Sequence, residues 1–355
     1  MKKTLLVDLS YLDDLNRGYG QIALCYANYF KDNYNNETSK YDLTLLVPKK
    51  FIGCFGDKVK YISSSNWFRK HIRYVVPQFD IWHNLQYPSR FRPYSKKTKY
   101  IFTIHDLNTL YLEYEGSQKD VDKNFRRISR HINQSSVITT ISEFSKQQLK
   151  KYFNLKGKKL YMIYNGVESI ANNPSSKPDI KIDKPFFFTL SVFRPKKNFH
   201  ILLDLMKLMP DTHLYISGEN DTEYGEMIKQ RIKEEKINNV TLTGTITEEE
   251  KVWFYDNCEA FLFPSLFEGF GLPVIEAMQF GKPVFSSQKT SLKEIGGDFA
   301  YFWDNFEANE MKDIIENNLK VFYSDKDLIV RQIEYANSFS YKKHFDEYEK
   351  LYSEI

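Results

Sequence analysis

The chain has 355 residues, of which 42% are hydrophobic and 27% charged, and this composition indicates a globular protein of about two domains. The chain has few prolines and glycines, which argues against long disordered linkers. Its three cysteines lie far apart and show no disulfide framework or metal-ligand spacing, so we expect a reducing compartment. Asp8 interrupts the first apolar run, and no apolar run is long enough to span a membrane, so we expect a cytoplasmic protein.

The net charge of +4 is distributed unevenly along the chain. Residues 1–170 contain 28 Lys and Arg against 15 Asp and Glu, whereas residues 171–355 contain 22 against 31. A basic half joined to an acidic half predicts a different partner for each. For the basic half, nucleic acid and an anionic membrane surface are both candidates.

The first half of the chain alternates short apolar runs with helical patterns. Several runs are apolar throughout, as strands buried on both faces of a parallel sheet must be. The predicted strands lie at 4–9, 43–48, 59–63, 81–85, 100–105, 136–141 and 160–166. Helices are predicted between them, for example at 20–31 and at 143–152, where Ser142 is a suitable N-cap.

A polar, proline-punctuated segment, "IANNPSSKPDIKIDKP", follows and is predicted to link two domains. The alternation then restarts, with strands predicted at 186–193, 213–218, 240–244, 260–265 and 283–287 and helices at 200–209, 223–235 and 248–257. The chain ends in an amphipathic helical pattern with a stripe of Tyr and Phe.

We therefore predict an α/β protein with two Rossmann-like, doubly wound parallel-sheet domains that face a central cleft. The N-terminal domain is predicted to cover residues 1–170, a linker 171–184 and the C-terminal domain 185–335. The final helix, within 336–355, could cross back to the N-terminal domain.

The segment "FPSLFEGFGLPVIEAMQFG" at 263–281 contains two glutamates around a Gly-Phe-Gly turn. It begins at the end of a predicted strand, Pro273 suits the first position of the next helix, and Gly281 suits its end. Gly269 and Gly271 leave the turn nearly free of Cβ atoms, so backbone N–H groups can approach a ligand. Ligands bind at such strand ends in open α/β sheets, and a helix N-terminus with accessible amides binds anions such as phosphate.

Glu268 lies before that turn and Glu276 lies in the first turn of the helix. Carboxylates repel phosphate but accept hydrogen bonds from hydroxyl groups. Two of them beside a phosphate site suit a ligand with a sugar on each side of its phosphates, as in a nucleotide-sugar. The alternative is that Glu276 only complements the helix dipole and that Glu268 is a loop charge.

The longer segment "FPSLFEGFGLPVIEAMQFGKPVFSS" resembles the signature of the retaining glycosyltransferases of family 4, which have the GT-B fold. Other segments resemble the family in the same order, namely "LNRGYGQIALCYANYF", "YIFTIHDLNTLY", "VITTISEFSKQQLKKYF", "YMIYNGVES" and "SVFRPKKNFHILLDLM". The resemblance covers nearly the whole chain. It implies sugar transfer from a nucleotide-diphospho-sugar with retention at the anomeric carbon.

The resemblance also implies a role for each matching residue. Glu276 would bind the ribose hydroxyls, Glu268 the transferred sugar, and Lys197 the donor diphosphate. Arg194 would be a second cation, and Thr245 would contact the base. The implied donor-binding set is Gly18, Gly20, Arg194, Lys197, Thr245, Glu268, Gly269, Phe270, Gly271, Leu272 and Glu276, and the implied catalytic set is His105, Glu268 and Lys197.

In the N-terminal half, the resemblance implies that Gly18 and Gly20 let a loop close on the donor phosphates and the acceptor. His105 would lie beside the reacting sugar. The structural alternative for His105 is a buried histidine bonded to Asp106. His83, which also follows an apolar run, is predicted to line the acceptor site.

Residues 64–79, "SSNWFRKHIRYVVPQF", interleave aromatic and basic side chains. This composition favours contact with an anionic membrane surface and a lipid-linked acceptor. Nucleic acid binding and an ordinary amphipathic helix against the core are the alternatives. A second basic stretch at 90–99 also favours contact with an anionic membrane surface.

No metal-ligand cluster is evident, and Asp13 and Asp14 are predicted to be loop residues without partners. The helix dipole and Lys197 can supply the positive charge that a metal would give to a leaving diphosphate. We therefore predict transfer without a metal or other cofactor. The expected partners are a GDP- or UDP-linked donor, a glycan or lipid-linked oligosaccharide acceptor and an anionic membrane, and no nucleic acid.

We predict a hexosyltransferase of cell-surface polysaccharide synthesis, with mannose as the first choice of sugar, at the inner face of the cytoplasmic membrane. A catalytically inactive nucleotide-sugar-binding relative, or a subunit of another transferase, is the alternative. Nucleic acid binding through residues 64–99 is a third hypothesis. An NAD-dependent dehydrogenase is disfavoured, because the Gly-Tyr-Gly at 18–20 lacks the third glycine and the later acidic residue of a dinucleotide site.

Overall fold

The computed structural model describes residues 2–15, 18–65, 77–85, 89–111, 113 and 117–355. The chain divides into two compact units, the first formed by Met1–Tyr164 with Asp346–Ile355 and the second by Asn165–Phe345. Each unit contains one sheet of parallel strands with helices in the connections between them. The predicted α/β class with two doubly wound sheets is confirmed.

The first unit has a seven-stranded sheet. Its strands are β1 (Lys3–Asp8), β2 (Tyr41–Val47), β3 (Lys60–Ser63), β4 (Ile81–Asn84), β5 (Lys99–Ile104), β6 (Val137–Thr140) and β7 (Lys159–Met162). Its helices include α1 (Gly18–Asn33), α2 (Gln118–Gln134) and α3 (Glu143–Tyr152). The strand order is β3-β2-β1-β4-β5-β6-β7, so the order reverses between β1 and β4.

The second unit has a six-stranded sheet. Its strands are β8 (Phe186–Leu190), β9 (His213–Ser217), β10 (Val240–Gly244), β11 (Ala260–Phe263), β12 (Val284–Ser287) and β13 (Ala300–Trp303). Its helices are α4 (His200–Lys207), α5 (Glu223–Glu234), α6 (Glu248–Asn257), α7 (Leu272–Gln279), α8 (Leu292–Gly296), α9 (Ala308–Ser324), α10 (Lys326–Asn337) and the start of α11 (Tyr341–Glu354). The order β10-β9-β8-β11-β12-β13 reverses between β8 and β11.

The central strands are apolar on both faces because both faces are covered. In β1, the consecutive residues Leu5, Leu6 and Val7 are all at most 1% exposed, although successive side chains point to opposite faces. The run Phe186–Phe188 in β8 is buried in the same way. Continuous apolar runs are what a parallel sheet between two helical layers requires.

Several helices begin with a side-chain N-cap, and one of these caps, Ser142, was predicted from the sequence. The backbone N–H of Ser145 donates to Oγ of Ser142 at 3.1 Å, which places the start of α3 as predicted. Thr247 and Glu250 form a reciprocal capping box at the start of α6. The short strand β13 was not predicted; it is recognisable only through its parallel pairing with β12.

The last turns of α11 belong to the first unit. The hydroxyl of Tyr352 lies 2.6 Å from Nδ1 of His83, whose Nε2 lies 2.9 Å from Oγ1 of Thr103. Tyr348 adds contacts to Thr103 and Thr139 at 3.2 and 3.1 Å. The prediction that His83 lines an acceptor site is therefore wrong, because His83 is fully buried and holds the C-terminal helix to the sheet.

Candidate functional site

The switch point of the second sheet lies between β8 and β11, which are adjacent strands. At such a point the loops that follow the two strands lead to opposite faces of the sheet, and ligands of α/β proteins bind in the crevice between them. The residues after β8 include Arg194 and Lys197, and the residues after β11 include Glu268. These predicted site residues therefore follow the two strands that border the switch point.

Helix α7 begins at Leu272, so Pro273 is its second residue and not its first as predicted. Gly271 is the N-cap with φ of 115°, and a Cβ on it would lie 2.7 Å from Cδ2 of Leu292. Both backbone conformation and space therefore require glycine there. Gly281, with φ of 62°, follows the last turn, as predicted.

Hydrogen bonds fix the loop between β11 and α7. Oγ of Ser291 donates to the carbonyl oxygens of Glu268 and Phe270 at 3.0 and 2.8 Å. The backbone N–H of Glu268 donates to Oγ1 of Thr290 at 3.0 Å. The Phe270 ring is buried and contacts the ring of Phe339. These hydrogen bonds fix the conformation of the loop. Because the Phe270 side chain is buried, only the backbone of Phe270 can contact a ligand.

Glu268 and Lys197, assigned from the resemblance to the sugar and the diphosphate, are bonded to each other. Nζ of Lys197 donates to Oε1 of Glu268 at 2.5 Å, and the two side chains are 13% and 15% exposed, respectively. Burial by itself would raise the pKa of Glu268, but the charges of Lys197 and Lys196 outweigh burial and lower that pKa. Glu268 is therefore an ionised acceptor with a cation beside it.

Glu276 also has a cation and a hydrogen-bond donor beside it, and both come from α6. The hydroxyl of Tyr255 donates to Oε2 of Glu276 at 2.9 Å, and Nζ of Lys251 lies 3.6 Å from Oε1. Burial lowers the pKa of Lys251, but the charges of Glu276 and Glu248 outweigh burial and raise it. Burial, followed by the charge of Glu276, raises the pKa of Tyr255 well above its ordinary value.

Sequence reasoning missed Lys251 and Tyr255. Their spacing of four residues on α6 places them on one helical face, which was the signal available. Nothing in that spacing identifies Glu276 as their partner, because the contact depends on how α6 packs beside α7.

Arg194 and Thr245 are both exposed. Arg194 directly precedes the short 3₁₀ helix Pro195–Lys197, and Thr245 follows Gly244 at the end of β10. Among the residues that the structure describes, neither makes a hydrogen bond or an ion pair with the two glutamates. Their assignments to the diphosphate and the base stay predictions.

His105 lies in the first unit, directly after β5, and is 5% exposed. Its Nε2 lies 2.7 Å from the carbonyl oxygen of Leu85. Because a carbonyl oxygen only accepts, Nε2 carries the proton, and Nδ1 of the neutral ring is an acceptor that has no hydrogen bond to any residue the structure describes. Burial lowers the pKa of His105, although this hydrogen bond and the charge of Asp106 oppose it. The structural alternative is right that His105 is buried but wrong about its partner, because the imidazole is bonded to the carbonyl oxygen of Leu85 and not to Asp106.

Gly18 and Gly20 lie in the first turn of α1, so the helix begins two residues before its predicted start at Gly20 and neither glycine lies in a loop. A Cβ on Gly20 would lie 1.9 Å from the carbonyl oxygen of Asp14, whereas a Cβ on Gly18 would meet nothing within 4 Å. The close approach of the Asp14 carbonyl group therefore explains why residue 20 is a glycine. Between them, the ring of Tyr19 meets the His105 ring edge-on at 5.5 Å, so the start of α1 does lie beside His105.

Other expectations concern segments or properties that the structure does not test. The aromatic and basic residues at 66–76 lie outside the described residues, so their contact with a membrane stays a prediction. No helix in the described part of the chain is both long and apolar enough to cross a membrane. Within the same part, no group of three His, Cys, Asp or Glu side chains could hold a metal ion, and the need for a metal stays untested.

Two family models match the chain in succession. The model described as Glycosyltransferase Family 4 matches residues 23–169, and the model described as Glycosyl transferases group 1 matches residues 172–338. Among solved structures, sucrose-phosphate synthase from Thermosynechococcus elongatus has a TM-score of 0.73 at 16% identity, with 99% of each chain covered. Anabaena HepE in complex with UDP and glucose has a TM-score of 0.69 at 17% identity, with 99% of this chain and 100% of that chain covered.

The two sheets and these structural neighbours show the GT-B fold, and the two family models, which match most of the chain in succession, make it a member of the glycosyltransferase class. Within that class, the chain belongs to glycosyltransferase family 4.

Curated relatives match over shorter stretches. The O-antigen chain mannosyltransferase RfbU of Salmonella typhimurium is 25% identical over 216 residues, which are 61% of this chain and 59% of that protein. The serotype-specific mannosyltransferase WbdA of Escherichia coli is 24% identical over 232 residues, 58% of this chain and 28% of that protein. The chain therefore spans just over half of the first relative and just over a quarter of the second.

Proposed function

We propose that the protein transfers a hexose, with mannose as the first candidate, from a nucleotide-diphospho-sugar to a hydroxyl group of a glycan or lipid-linked oligosaccharide. The proposal rests chiefly on the Lys197–Glu268 pair, which joins residues after β8 to the loop that leads into α7. It combines a cation for a diphosphate with an acceptor for sugar hydroxyls at a switch point. The mannosyltransferases RfbU and WbdA among the relatives support the choice of sugar.

In this proposal the donor diphosphate binds at the start of α7. The amides of that first turn and the ammonium of Lys197 both favour an anion. Lys197 would share its charge between the phosphate and Glu268, and the ionised Glu268 would accept hydrogen bonds from the sugar. Glu276, held by Tyr255 and Lys251, would accept hydrogen bonds from the ribose hydroxyls.

The chemical step needs no side chain as a general base. The bond between the anomeric carbon and the diphosphate oxygen breaks, and the acceptor oxygen bonds to that carbon on the same face, with retention. The acceptor proton passes to the departing diphosphate. Lys197 and the amides of α7 stabilise the charge that develops on the leaving oxygen, so transfer proceeds without a metal.

His105 does not move a proton in this scheme. Its Nε2–H is already engaged by the carbonyl oxygen of Leu85, and burial lowers the pKa of the imidazole. The bare Nδ1 suits a hydroxyl donor instead. We assign His105 to binding a sugar hydroxyl through one hydrogen bond.

A donor panel tests the proposal. Thermal-shift measurements with GDP-, UDP- and ADP-linked sugars identify the donor, because a ligand that binds only the folded form stabilises it. Proton NMR of the reaction with that donor and a simple sugar acceptor then shows the anomeric configuration of the product. We expect a retained configuration, activity that persists in a metal chelator, and loss of activity in Glu268→Gln.

Saturable donor binding without transfer or donor hydrolysis would support an inactive binding relative and overturn the proposal. Inversion at the anomeric carbon would contradict the mechanism. The exposed Glu334 on α10 provides a matched control, since Glu334→Gln removes the same charge from a surface position of the same unit.

A further inference from the structure

Thr290 has an unusual backbone conformation beside the candidate donor site. It lies in residues 288–291, which connect β12 to α8, and its φ of 57° is in the left-handed region. That region is costly for a residue branched at Cβ, whereas asparagine tolerates it better and glycine adopts it freely. The non-glycine residues with positive φ in the described part of the chain also include Lys156, Asn198 and Lys236, and among them Thr290 alone is branched at Cβ.

The hydroxyl group of Thr290 is bonded to the backbone of Glu268. Its proton is donated to the carbonyl oxygen of Lys289 at 2.7 Å, and its oxygen accepts from the N–H of Glu268 at 3.0 Å. The next residue, Ser291, donates from Oγ to the carbonyl oxygen of Glu268 at 3.0 Å. Two consecutive side chains therefore hold both backbone polar groups of Glu268.

The left-handed conformation explains how two neighbouring side chains reach the same residue. In an extended segment, successive side chains point to opposite sides, so residues 290 and 291 would not both face Glu268. A turn at Thr290 brings both hydroxyl groups to one side. Ser291 is fully buried, and the next residue, Leu292, begins α8 and lies against Gly271 at the start of α7. The segment that holds Glu268 is therefore itself anchored in the core of the unit.

Stability of the fold does not explain a threonine at this position. One neutral hydrogen bond typically contributes no more than the left-handed conformation of a branched residue costs, and glycine would adopt that conformation without strain. What threonine adds is precision, because its branched Cβ restricts χ1 and holds the hydroxyl group in one direction. Backbone strain of this kind is concentrated at functional sites, where a fixed geometry is part of the function.

We propose that Thr290 is a positioning residue of the donor site, which holds the backbone of Glu268 so that its carboxylate faces the hydroxyl groups of the transferred sugar. The inference rests on the proposed function, in which Glu268 binds that sugar. Nζ of Lys197 holds the carboxylate itself at 2.5 Å, so Glu268 is fixed at its backbone and at the end of its side chain. Thr290 should therefore matter for the sugar and not for the nucleotide that carries it.

Isothermal titration of the nucleotide-sugar that the donor panel identifies, and of its free nucleoside diphosphate, tests the inference. Thr290→Val removes the hydroxyl group and keeps the shape, so we expect it to weaken the nucleotide-sugar roughly three- to tenfold and the diphosphate less than about twofold. Thr290→Gly, which folds without the strain, should show the same selective loss. Thr290→Ser, which keeps the hydroxyl group, should stay within about threefold of wild type.

Thr241→Val is the matched control, because it removes a hydroxyl group bonded to Nε2 of His213 in the same unit and should change neither affinity. A double-mutant cycle shows whether Thr290 acts through Glu268. The carboxylate is absent in Glu268→Ala, so adding Thr290→Val to that variant should leave the ratio of the two affinities unchanged. A further change of the ratio in the double variant, or equal losses for both ligands in Thr290→Val and Thr290→Gly, would overturn the inference.

The same titrations separate this inference from the proposed function. A chain that binds and turns over a nucleotide-sugar, with the same ratio of affinities in wild type and in the Thr290→Val and Thr290→Gly variants, refutes the role of Thr290 alone. A chain that binds no nucleotide-sugar of the panel contradicts the proposed function and this inference with it.

Discussion

At the scale of single residues, each glutamate of the candidate donor site has a lysine beside it. Lys197 contacts Glu268, and Lys251 contacts Glu276. All four side chains are at most 17% exposed, where an isolated charge would be costly. Burial alone would raise the pKa of Glu268, but the charge of Lys197 outweighs burial, so Glu268 stays ionised and only accepts hydrogen bonds. Glu268 is therefore ready to accept hydrogen bonds from hydroxyl groups, and Glu276 already accepts one from Tyr255.

Tyr255 is predicted to act on the nucleotide through Glu276. Tyr255→Phe removes the hydroxyl that orients Oε2 but keeps the buried ring, so we expect the affinity for a ribonucleoside diphosphate to fall roughly three- to tenfold. The affinity for the 2′,3′-dideoxy analogue should not change. Calorimetric titration of both nucleotides measures the difference. Tyr215→Phe, whose hydroxyl bonds to the carbonyl oxygen of Lys181, is the control, and equal losses for both nucleotides would contradict the role.

The Lys197–Glu268 pair predicts a pH dependence of stability. The pKa of Glu268 in the folded chain lies below its ordinary value of 4.5, so the pair stabilises the folded state above that value. This contribution is lost as the pH falls through the folded-state pKa. We therefore expect wild type to have a higher Tm than Glu268→Gln at pH 7, and the difference to shrink below about pH 4.5. A constant difference from pH 7 to pH 3 in thermal melts would argue against the ion pair.

At the scale of elements, local sequence was sufficient wherever local chemistry sets the structure. Ser142 identified the start of α3 and Gly281 the end of α7, because caps and left-handed residues act over a few positions. The short β13 escaped prediction because only its pairing with β12 distinguishes it. His83 was misassigned because its partner, Tyr352, lies 269 residues away. Contacts of that range follow from packing and not from any local pattern.

Gly271 connects the loop after β11 to α7, and its replacement should affect both stability and binding. Gly271→Ala must adopt φ of 115° and place a Cβ 2.7 Å from Leu292, which we expect to cost about 1–3 kcal/mol. Donor affinity should fall as well, because the first turn of α7 would shift. Gly244→Ala, with φ of 73° but open space, is the matched control. Thermal melts that place both variants at the same Tm would show that the space around Gly271 is unimportant.

At the scale of the whole molecule, the two units repeat one topology with different charge and different contents. Both sheets reverse their order after the third strand from one edge, and both have polar groups at that point. The fold and the glutamate motif were predictable because both depend on short patterns. A cavity of the first unit, whose wall includes Ser10, Ser64, Arg90 and Arg127, was not predictable from the sequence. These residues are far apart in the chain, and only the folded sheet brings them together.

The end of the chain is predicted to be part of the first unit's core. Deletion of 346–355 removes Tyr348 and Tyr352, both buried, and leaves His83 without its tyrosine partner. Loss of a buried aromatic side chain costs about 3–5 kcal/mol, so we expect the first unit to lose much of its stability. Hydrogen exchange should show faster exchange in β4, β5 and β6 but not in the second sheet. Deletion of 353–355 alone is the control, and protection that survives the longer deletion would contradict this role.

Lys197 and the first turn of α7 are the proposed site of the donor diphosphate, and comparison of nucleoside di- and monophosphates tests that role most directly. Isothermal titration of GDP and GMP, or UDP and UMP, should use wild type and the double variant Lys197→Met/Glu268→Gln, which removes both charges of the pair together. We expect the diphosphate to bind wild type at least about tenfold more tightly than the monophosphate, and the double variant to lose most of that preference. Equal affinities in wild type, or an unchanged ratio in the double variant, would contradict the assignment.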